Sequence, residues 1–157
     1  GAYGGSGGGS SNQDDYDGKG FGNDGGQLGA KWPRPGGGGG AGGAGGDGRV
    51  GIGNSKFAGI GGIGKDYSST FTTTYGDNGW FASGGGGGTY NSSWYNIGIA
   101  SEGGGTDGSK DKADDAQPHT GGGGGGGGYV SKTNERRGGN GGSGVVIFKG
   151  STDTTTS

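Results

Sequence analysis

Residues 36–48 read Gly-Gly-Gly-Gly-Gly-Ala41-Gly-Gly-Ala44-Gly-Gly-Asp47-Gly, so only Ala41, Ala44 and Asp47 carry a side chain in this stretch. Side chains normally build a core, and glycine also loses more conformational freedom on ordering than any other residue. The stretch therefore contributes to a fold only through its backbone. It is either a flexible linker or an extended rod that bonds to neighbouring rods.

Similar runs recur along the chain, and together they dominate its composition. They lie at 4–9 (broken by Ser6), 84–88, 103–105, 121–128 and 138–144. Glycine supplies 54 of the 157 residues and apolar residues only 22%, whereas an ordinary domain has about 7% glycine and about 45–50% apolar residues. Disorder is the default for such a chain. Its 10% aromatic content, its net charge of −2 and its varied segments between the runs favour order instead.

The composition predicts the fold class by elimination. Glycine costs about 1 kcal/mol per helical position relative to alanine, and no window has a 3.6-residue apolar period. A collagen helix needs strict Gly-X-Y phase and abundant proline, but the chain has 3 prolines and unbroken glycine runs. We therefore predict bundled polyglycine II-type extended helices with a few short β-strands and essentially no α-helix. Hydrogen bonds between backbones, with weaker Cα–H···O contacts, would replace side-chain burial.

Two stretches have strand character, and the flanks suggest three regions. Thr70–Tyr75 is β-branched and aromatic, and Val145-Val146-Ile147-Phe148 is the one continuous apolar run, which predicts a buried strand. We expect a polar glycine-rich leader at 1–35, a structural or adhesive domain at 36–149 and a frayed Ser/Thr-rich tail at 150–157. Because residue 1 is Gly, we expect a mature product, a fragment or part of a longer protein.

The Gly/Ala run 36–48, the unit Tyr75–Gly84 followed by further glycines, and the ending Gly138–Ile147 carry a resemblance. Together they resemble the glycine-rich domains of phage tail fibres and algal-virus surface proteins over residues 36–149. The resemblance implies a virion-surface or extracellular location, a trimeric or repetitive assembly, and loops between glycine helices that contact a host. It carries over no catalytic residue. The segments 65–83 and 106–120 are longer and more charged than this family suggests.

Several short motifs resemble catalytic or ligand sites, but their context predicts none. Gly59–Gly64 satisfies G-x-G-x-x-G, yet glycine abundance produces such matches by chance, and Asp66 would repel a phosphate. Asp15–Asp24 lacks two ligand positions of a calcium loop, so we read it as an acidic loop. His119 is the one histidine, and without cysteine it makes no zinc site. We predict no enzyme activity, no cofactor and no bound metal.

Charge and hydropathy exclude further partner classes. Twelve basic and 14 acidic residues provide no electrostatic case for nucleic acid. No stretch approaches the about 18 apolar residues of a membrane helix, so we expect no membrane insertion. The mixed-sign stretch Lys110–Asp115 indicates a solvated loop, and the absence of cysteine rules out disulfides.

Aromatic residues between two glycine runs are the candidate contact surface. They either cover the bundle or a subunit interface, or they form a tip that binds a sugar or protein, since aromatic rings supply contact area at low entropy cost. Candidate contacts are Trp80, Phe81, Tyr90, Trp94 and Tyr95. Asn91-Ser92-Ser93 matches a glycosylation acceptor, which matters only in a eukaryotic secretory pathway.

These observations predict a viral or phage fibre or spike domain that binds a host glycan or protein. The alternative is an extracellular fibril subunit whose aromatic residues pack between protomers. We expect self-association in both cases, as a trimer or as a helical polymer. A third reading, an ice-binding bundle, needs a flat regular face, which the charged insertions disfavour.

Overall fold

The computed structural model describes residues 23–29, 34–129 and 136–151. Most of the leader 1–35, including most of the acidic loop Asp15–Asp24, and most of the tail 150–157 lie outside the described residues. The described chain runs back and forth in extended segments connected by backbone hydrogen bonds. In chain order these segments are 23–29, 34–41, 42–48, 58–64, 82–89, 96–102, 103–109, 113–119, 121–129 and 136–143.

The hydrogen bonds between neighbouring segments recur at every third residue. A β-ladder cannot give this spacing, because strand side chains and bonding directions repeat every two residues. One parallel pair of segments is bonded from Ser83, Gly86 and Thr89 to the carbonyls of Gly103, Thr106 and Ser109, at 3.2, 3.0 and 3.0 Å.

Segment 82–89 forms the centre of the bundle. Residues 83–89 are all buried, and the segment bonds to segments 34–41, 58–64, 96–102, 103–109 and 121–129. The Cα atoms of consecutive residues in this segment lie very close to the backbones of different neighbouring segments. A Cβ added to Gly84, Gly85 or Gly86 would lie 1.9, 2.1 or 2.0 Å from a carbonyl oxygen of Gly38, Gly124 or Gly98. Consecutive glycines are required here because a side chain would meet backbone on every side.

Segment 58–64 shows how larger residues are accommodated at the bundle surface. Ile60 and Ile63 are exposed, whereas the alanine and glycines between and around them are buried. The two isoleucines are three positions apart, and both lie at the surface. The G-x-G-x-x-G match at Gly59–Gly64 therefore belongs to a bundle segment and not to a loop between a strand and a helix.

In segment 113–119, small residues three positions apart face the interior. Ala113 and Ala116 are 2% and 7% exposed, and their N–H groups donate to the carbonyls of Arg137 and Asn140 at 3.1 and 2.8 Å. The predicted solvated loop Lys110–Asp115 is therefore a loop only over its first residues. Its second half is part of the bundle.

Regular secondary structure is short. Strands β1 (Arg49–Val50), β2 (Lys56–Phe57) and β5 (Tyr95–Asn96) form one sheet, in which β1 and β2 are antiparallel and β2 and β5 are parallel. Strands β3 (Lys65–Asp66) and β4 (Trp80–Phe81) form an antiparallel pair. A 3-10 turn covers Ile52–Asn54, and α1 covers Ser68–Phe71. Little helix, a few strands and mostly irregular backbone agree with the expected class.

The predicted strand at Thr70–Tyr75 is wrong, because α1 ends there. A carboxylate oxygen of Asp66 accepts the Ser68 N–H at 2.8 Å, which supports the turn that α1 continues. Thr72 then ends the helix with φ 65°. A local polar contact therefore outweighs the β-propensity of this stretch.

The prediction of a buried strand at Val145–Phe148 is also wrong. No strand forms at Val145–Phe148, where Val145, Val146 and Phe148 are 41%, 78% and 91% exposed and only Ile147 is half-buried. The physical reason is the short distance between backbones in the interior. Backbones in the bundle approach so closely that no branched side chain fits between them, so apolar bulk is excluded from the centre.

The loops between segments collect at two opposite ends of the bundle. We call one end the tyrosine end; it comprises residues 49–57, 90–95, 110–112 and 129. We call the other the insertion end; it comprises residues 65–81, the turn at 102–104 and the turn at 118–121. Phe81 precedes and Tyr90 follows the central segment.

Candidate functional site

Three tyrosines form a cluster at the tyrosine end. The ring of Tyr90 lies 5.9 Å from that of Tyr95 and 5.5 Å from that of Tyr129, with tilted planes. Tyr95 is placed by strand β5, and Tyr129 reaches Tyr90 through a parallel β-bridge. Tilted pairs at this separation are favourable for aromatic rings. The cluster covers the end of the central segment.

Basic side chains border this cluster. Lys56 Nζ lies 4.7 Å from the centre of the Tyr95 ring, and the Arg49 guanidinium lies 5.4 Å from the centre of the Phe57 ring. Both distances are within cation–π range. Lys110 Nζ donates to the Ser92 carbonyl oxygen at 2.9 Å, which holds loop 110–112 against loop 90–95.

Exposed apolar residues surround the cluster. Trp94 is 60% exposed, Ile52 fully exposed and Val50 half exposed. Asn91 is exposed as well, as a glycosylation acceptor must be. Isolated exposed apolar residues are ordinary, but several beside one another commonly mark a contact surface.

The insertion end has its own aromatic group, whose rings contact one another. Tyr67 lies 6.3 Å from both Phe71 and Phe81, ring centre to ring centre. Trp80 and Phe81 are half-buried in β4. These ring contacts join different parts of the loop 65–81 to one another.

Asp77 fixes the geometry of the insertion end. One carboxylate oxygen accepts the N–H groups of Gly103 and Gly104 at 3.0 and 3.4 Å. Both glycines have positive φ, 126° and 85°, a conformation that side-chain-bearing residues rarely adopt. The carboxylate thus joins the long loop to a tight turn between two segments.

The five predicted contact residues are therefore divided between the two ends. Tyr90, Trp94 and Tyr95 lie at the tyrosine end, while Trp80 and Phe81 lie at the insertion end. Sequence reasoning did not include Arg49, Lys56 and Tyr129 with the first group. Each is distant in sequence from Tyr95, and only the strand pairing of β1, β2 and β5 and the bridge to Tyr90 bring them together.

Two surface carboxylates have altered acidity because they accept hydrogen bonds. Hydrogen bonds from the Ser68 side chain and backbone hold the pKa of Asp66 below its ordinary value of 3.8. The backbone N–H of Asn140, with help from its side-chain amide and from Arg137 and Lys112, holds the pKa of Asp115 below 3.8. Both carboxylates stabilise local structure, and neither lies at the tyrosine end.

His119 lies in the turn before the long glycine run. It has φ 61°, and its N–H donates to the Ser143 hydroxyl oxygen at 2.9 Å. Within the described residues, no group of three or more metal-ligating side chains comes together. No helix in that same part of the chain has the length and apolarity to cross a bilayer.

A family of known proteins matches this chain. The profile of a family described as "Glycine-rich domain" matches residues 1–150. The chain belongs to this glycine-rich domain family. Neither the curated proteins nor the solved structures contain a significant match to it. The match extends to the N-terminus, and residues 23–29 of this glycine-rich domain bond to the bundle through Gly26 N–H to Gly37 O at 2.7 Å.

Proposed function

We propose that this glycine-rich domain is a non-enzymatic adhesive module at the tip of a viral or phage fibre or surface spike. It would act on the virion surface or outside the cell, where the loops of its tyrosine end contact a host surface glycan or protein. The observation that carries the proposal is the segregation of loops. Backbone-bonded segments form the body, and the varied side chains collect at its ends.

We propose further that the segments are polyglycine II-type helices. The three-residue hydrogen-bond repeat between 83–89 and 103–109 supports this conformation, as does the three-residue burial pattern of 58–64. Solution NMR of uniformly labelled protein tests it through the backbone dihedrals of 84–88. We expect φ near about −75° and ψ near about +145°; strand dihedrals would reject the proposal.

A body of this kind suits a fibre tip. Many of the N–H groups that bond to a neighbouring segment join parts of the chain that are far apart in sequence, such as Gly126 N–H and Gly86 O at 2.9 Å. Such a network holds the segments in fixed register, so the loops that join them have fixed starting points. Sites built on a rigid scaffold commonly carry their binding residues on such loops.

Adhesion is tested with the purified chain on fluorescent beads. We would mix the beads with panels of intact bacterial and algal cells and count attached beads. We expect adhesion to a subset of cells, at least tenfold reduced by the Trp94→Ala/Tyr95→Ala double variant. The matched control is Trp80→Ala at the insertion end, which should adhere like the wild type. Equal loss in both variants, or no adhesion to any cell, would count against the proposal.

A second candidate function is a self-assembling extracellular fibril subunit. The specific observation in its favour is the run Val145–Phe148, in which Val146 and Phe148 are 78% and 91% exposed. Its Val and Ile residues suit a strand that adds to another chain. The aromatic residues at the two ends would then pack between protomers.

Electron microscopy of the purified protein separates the two candidates. A fibre tip should form single particles or a closed trimer, whereas a fibril subunit should form an open helical polymer. Light scattering after size exclusion gives the mass of the smaller species. Filaments that disappear in a Val146→Lys/Phe148→Lys variant would favour the fibril, and particles unchanged by that variant would favour the tip.

A further inference from the structure

The two ends of the bundle differ in charge. Among described residues, the tyrosine end together with its flanking positions 47 and 136 carries five basic side chains and two acidic ones. The basic ones are Arg49, Lys56, Lys110, Lys112 and Arg136, and the acidic ones are Asp47 and Asp111. The insertion end carries Lys65, Asp66, Asp77 and Glu102, and Lys149 also lies there because its Nζ donates to the Thr70 carbonyl oxygen at 3.1 Å. Its two basic side chains are outnumbered by three acidic ones. A chain with a net charge of −2 therefore has one positive end.

The acidic residues of the tyrosine end are already engaged. Asp111 pairs with Arg136 at 2.8 Å, and a carboxylate oxygen of Asp47 accepts the Gln27 N–H at 2.7 Å. Lys56 and Arg49 lie over aromatic rings instead, and Lys110 bonds to a neutral carbonyl. Lys56, Arg49 and Lys110 therefore have no carboxylate partner among the described acidic residues of this end, and each can bind an external anion. Their contacts with rings or with a carbonyl oxygen fix their positions.

We propose that the tyrosine end binds an acidic polysaccharide, with Lys56 and Lys110 pairing its anionic groups and Trp94 packing against a sugar ring; this presupposes the adhesive function proposed above. The C–H face of a pyranose is flat and apolar, so it packs on an exposed indole ring. Hydrogen bonds from a cation to a carboxylate are stronger than neutral ones. The cluster offers both kinds of contact within one surface.

The modest number of cations favours a polysaccharide over nucleic acid. Double-stranded DNA carries one charge per about 1.7 Å, and proteins that bind it neutralise several phosphates in a row. Single-stranded nucleic acid is bound in a continuous basic groove with stacked aromatic rings. A few cations seated on rings suit a polymer with lower charge density, such as one carboxylate per sugar.

The test uses the full chain and three soluble probes. Polygalacturonate is the acidic probe, and its fully methyl-esterified form has the same backbone without the charge. Single-stranded DNA of matched total charge is the third. We expect binding to polygalacturonate that weakens with salt and is at least tenfold tighter than to the ester. Equal binding to the ester, or tighter binding to DNA that Trp94→Ala leaves unchanged, would overturn the inference.

Matched variants locate the site. Lys56→Gln/Lys110→Gln should weaken polygalacturonate binding at least tenfold, and Lys56→Arg should retain binding because it keeps the charge over the Tyr95 ring. The control is Lys65→Gln/Lys149→Gln at the opposite end, which has the same charge change and should shift affinity less than twofold. Equal weakening by both double variants would overturn the inference, and unchanged thermal unfolding of each variant establishes that it is folded.

Cell adhesion separates this inference from the proposed function. If the Lys56→Gln/Lys110→Gln beads lose polygalacturonate but attach to cells as before, the acidic polysaccharide is rejected and adhesion stands. If wild-type beads bind polygalacturonate by the stated criteria but attach to no cell, the ligand class stands for this surface and the adhesive function is rejected. If the Lys56→Gln/Lys110→Gln variant loses both polygalacturonate binding and cell attachment, the result supports both the ligand class and the adhesive function.

Discussion

A Cβ atom built on Gly84 would lie 1.9 Å from the carbonyl oxygen of Gly38, although the two residues are 46 positions apart in the chain. The Gly84 N–H meanwhile donates to Gly62 O at 2.8 Å, and Gly38 N–H donates to Gly85 O at 2.9 Å. Two segments therefore contact Gly84: segment 58–64 accepts its N–H, and segment 34–41 lies so close that no methyl group fits between them.

Gly84→Ala should lower the free energy of unfolding by about 3 kcal/mol or more, because the methyl group meets backbone that cannot rotate away. Urea unfolding followed by tryptophan fluorescence measures it. Gly144→Ala is the control, since no atom lies within 4 Å of a Cβ there. That variant should be neutral or about 0.4–1 kcal/mol more stable, through reduced freedom of the unfolded chain. Similar stability of both variants would contradict the close packing of the interior.

Asp77→Ala should destabilise the protein by about 1–3 kcal/mol, because the buried N–H groups of Gly103 and Gly104 lose their acceptor. Asp77→Asn keeps one carbonyl oxygen and should lose less. Urea unfolding of the two variants gives the order. If alanine were tolerated as well as asparagine, the carboxylate would not be holding the turn.

Thr106→Val should cost about 1–3 kcal/mol although the two side chains have the same shape. The Thr106 hydroxyl donates to Asp114 O and accepts the Gly125 N–H, both at 2.8 Å, so valine leaves two backbone groups without a partner. Thr106→Ser retains the hydroxyl and should recover most of the loss. Hydrogen exchange at Gly125 provides a direct reading, since its amide should exchange faster in the valine variant and not in the serine variant.

Because of Asp115, the free energy of unfolding should depend on pH in the acidic range. Its folded pKa lies below the ordinary 3.8, so its contribution is complete above the unfolded pKa and is lost as the pH falls through the folded pKa. The difference in Tm between wild type and Asp115→Asn should therefore be largest near neutral pH and shrink below about pH 4. A difference that stays constant from pH 7 to pH 2.5 would show that Asn140 does not favour the charged form.

Phe148→Ser should leave the unfolding of the isolated chain within about 0.5 kcal/mol of wild type, as for other surface substitutions. The reason is that Phe148 is 91% exposed. Dilute protein, confirmed as monomer by light scattering, is the sample for this measurement. A loss of several kcal/mol in monomer would mean that the phenylalanine is buried in solution.

The sequence predicted the grouping of site residues only where those residues are close to one another in the chain. Tyr90, Trp94 and Tyr95 lie within one short segment, so their common location followed from their spacing. Lys56 reaches Tyr95 only because β2 pairs with β5 in parallel, 39 positions away, and Tyr129 reaches Tyr90 only through a bridge. Trp80 and Phe81 looked equivalent to them in sequence, but segment 82–89 carries the chain to the opposite end before Tyr90.

The glycine content by itself determined that the described part of this chain has little helix and no core of large apolar side chains. Its cohesion must come from the backbone, because a residue without Cβ contributes nothing else. Tertiary structure alone decided which glycines are irreplaceable, which end each aromatic residue occupies, and that Val145–Phe148 stays outside. The physical reason is that every segment offers the same backbone groups. The choice of neighbour is therefore made by the whole arrangement of segments and not by any local sequence.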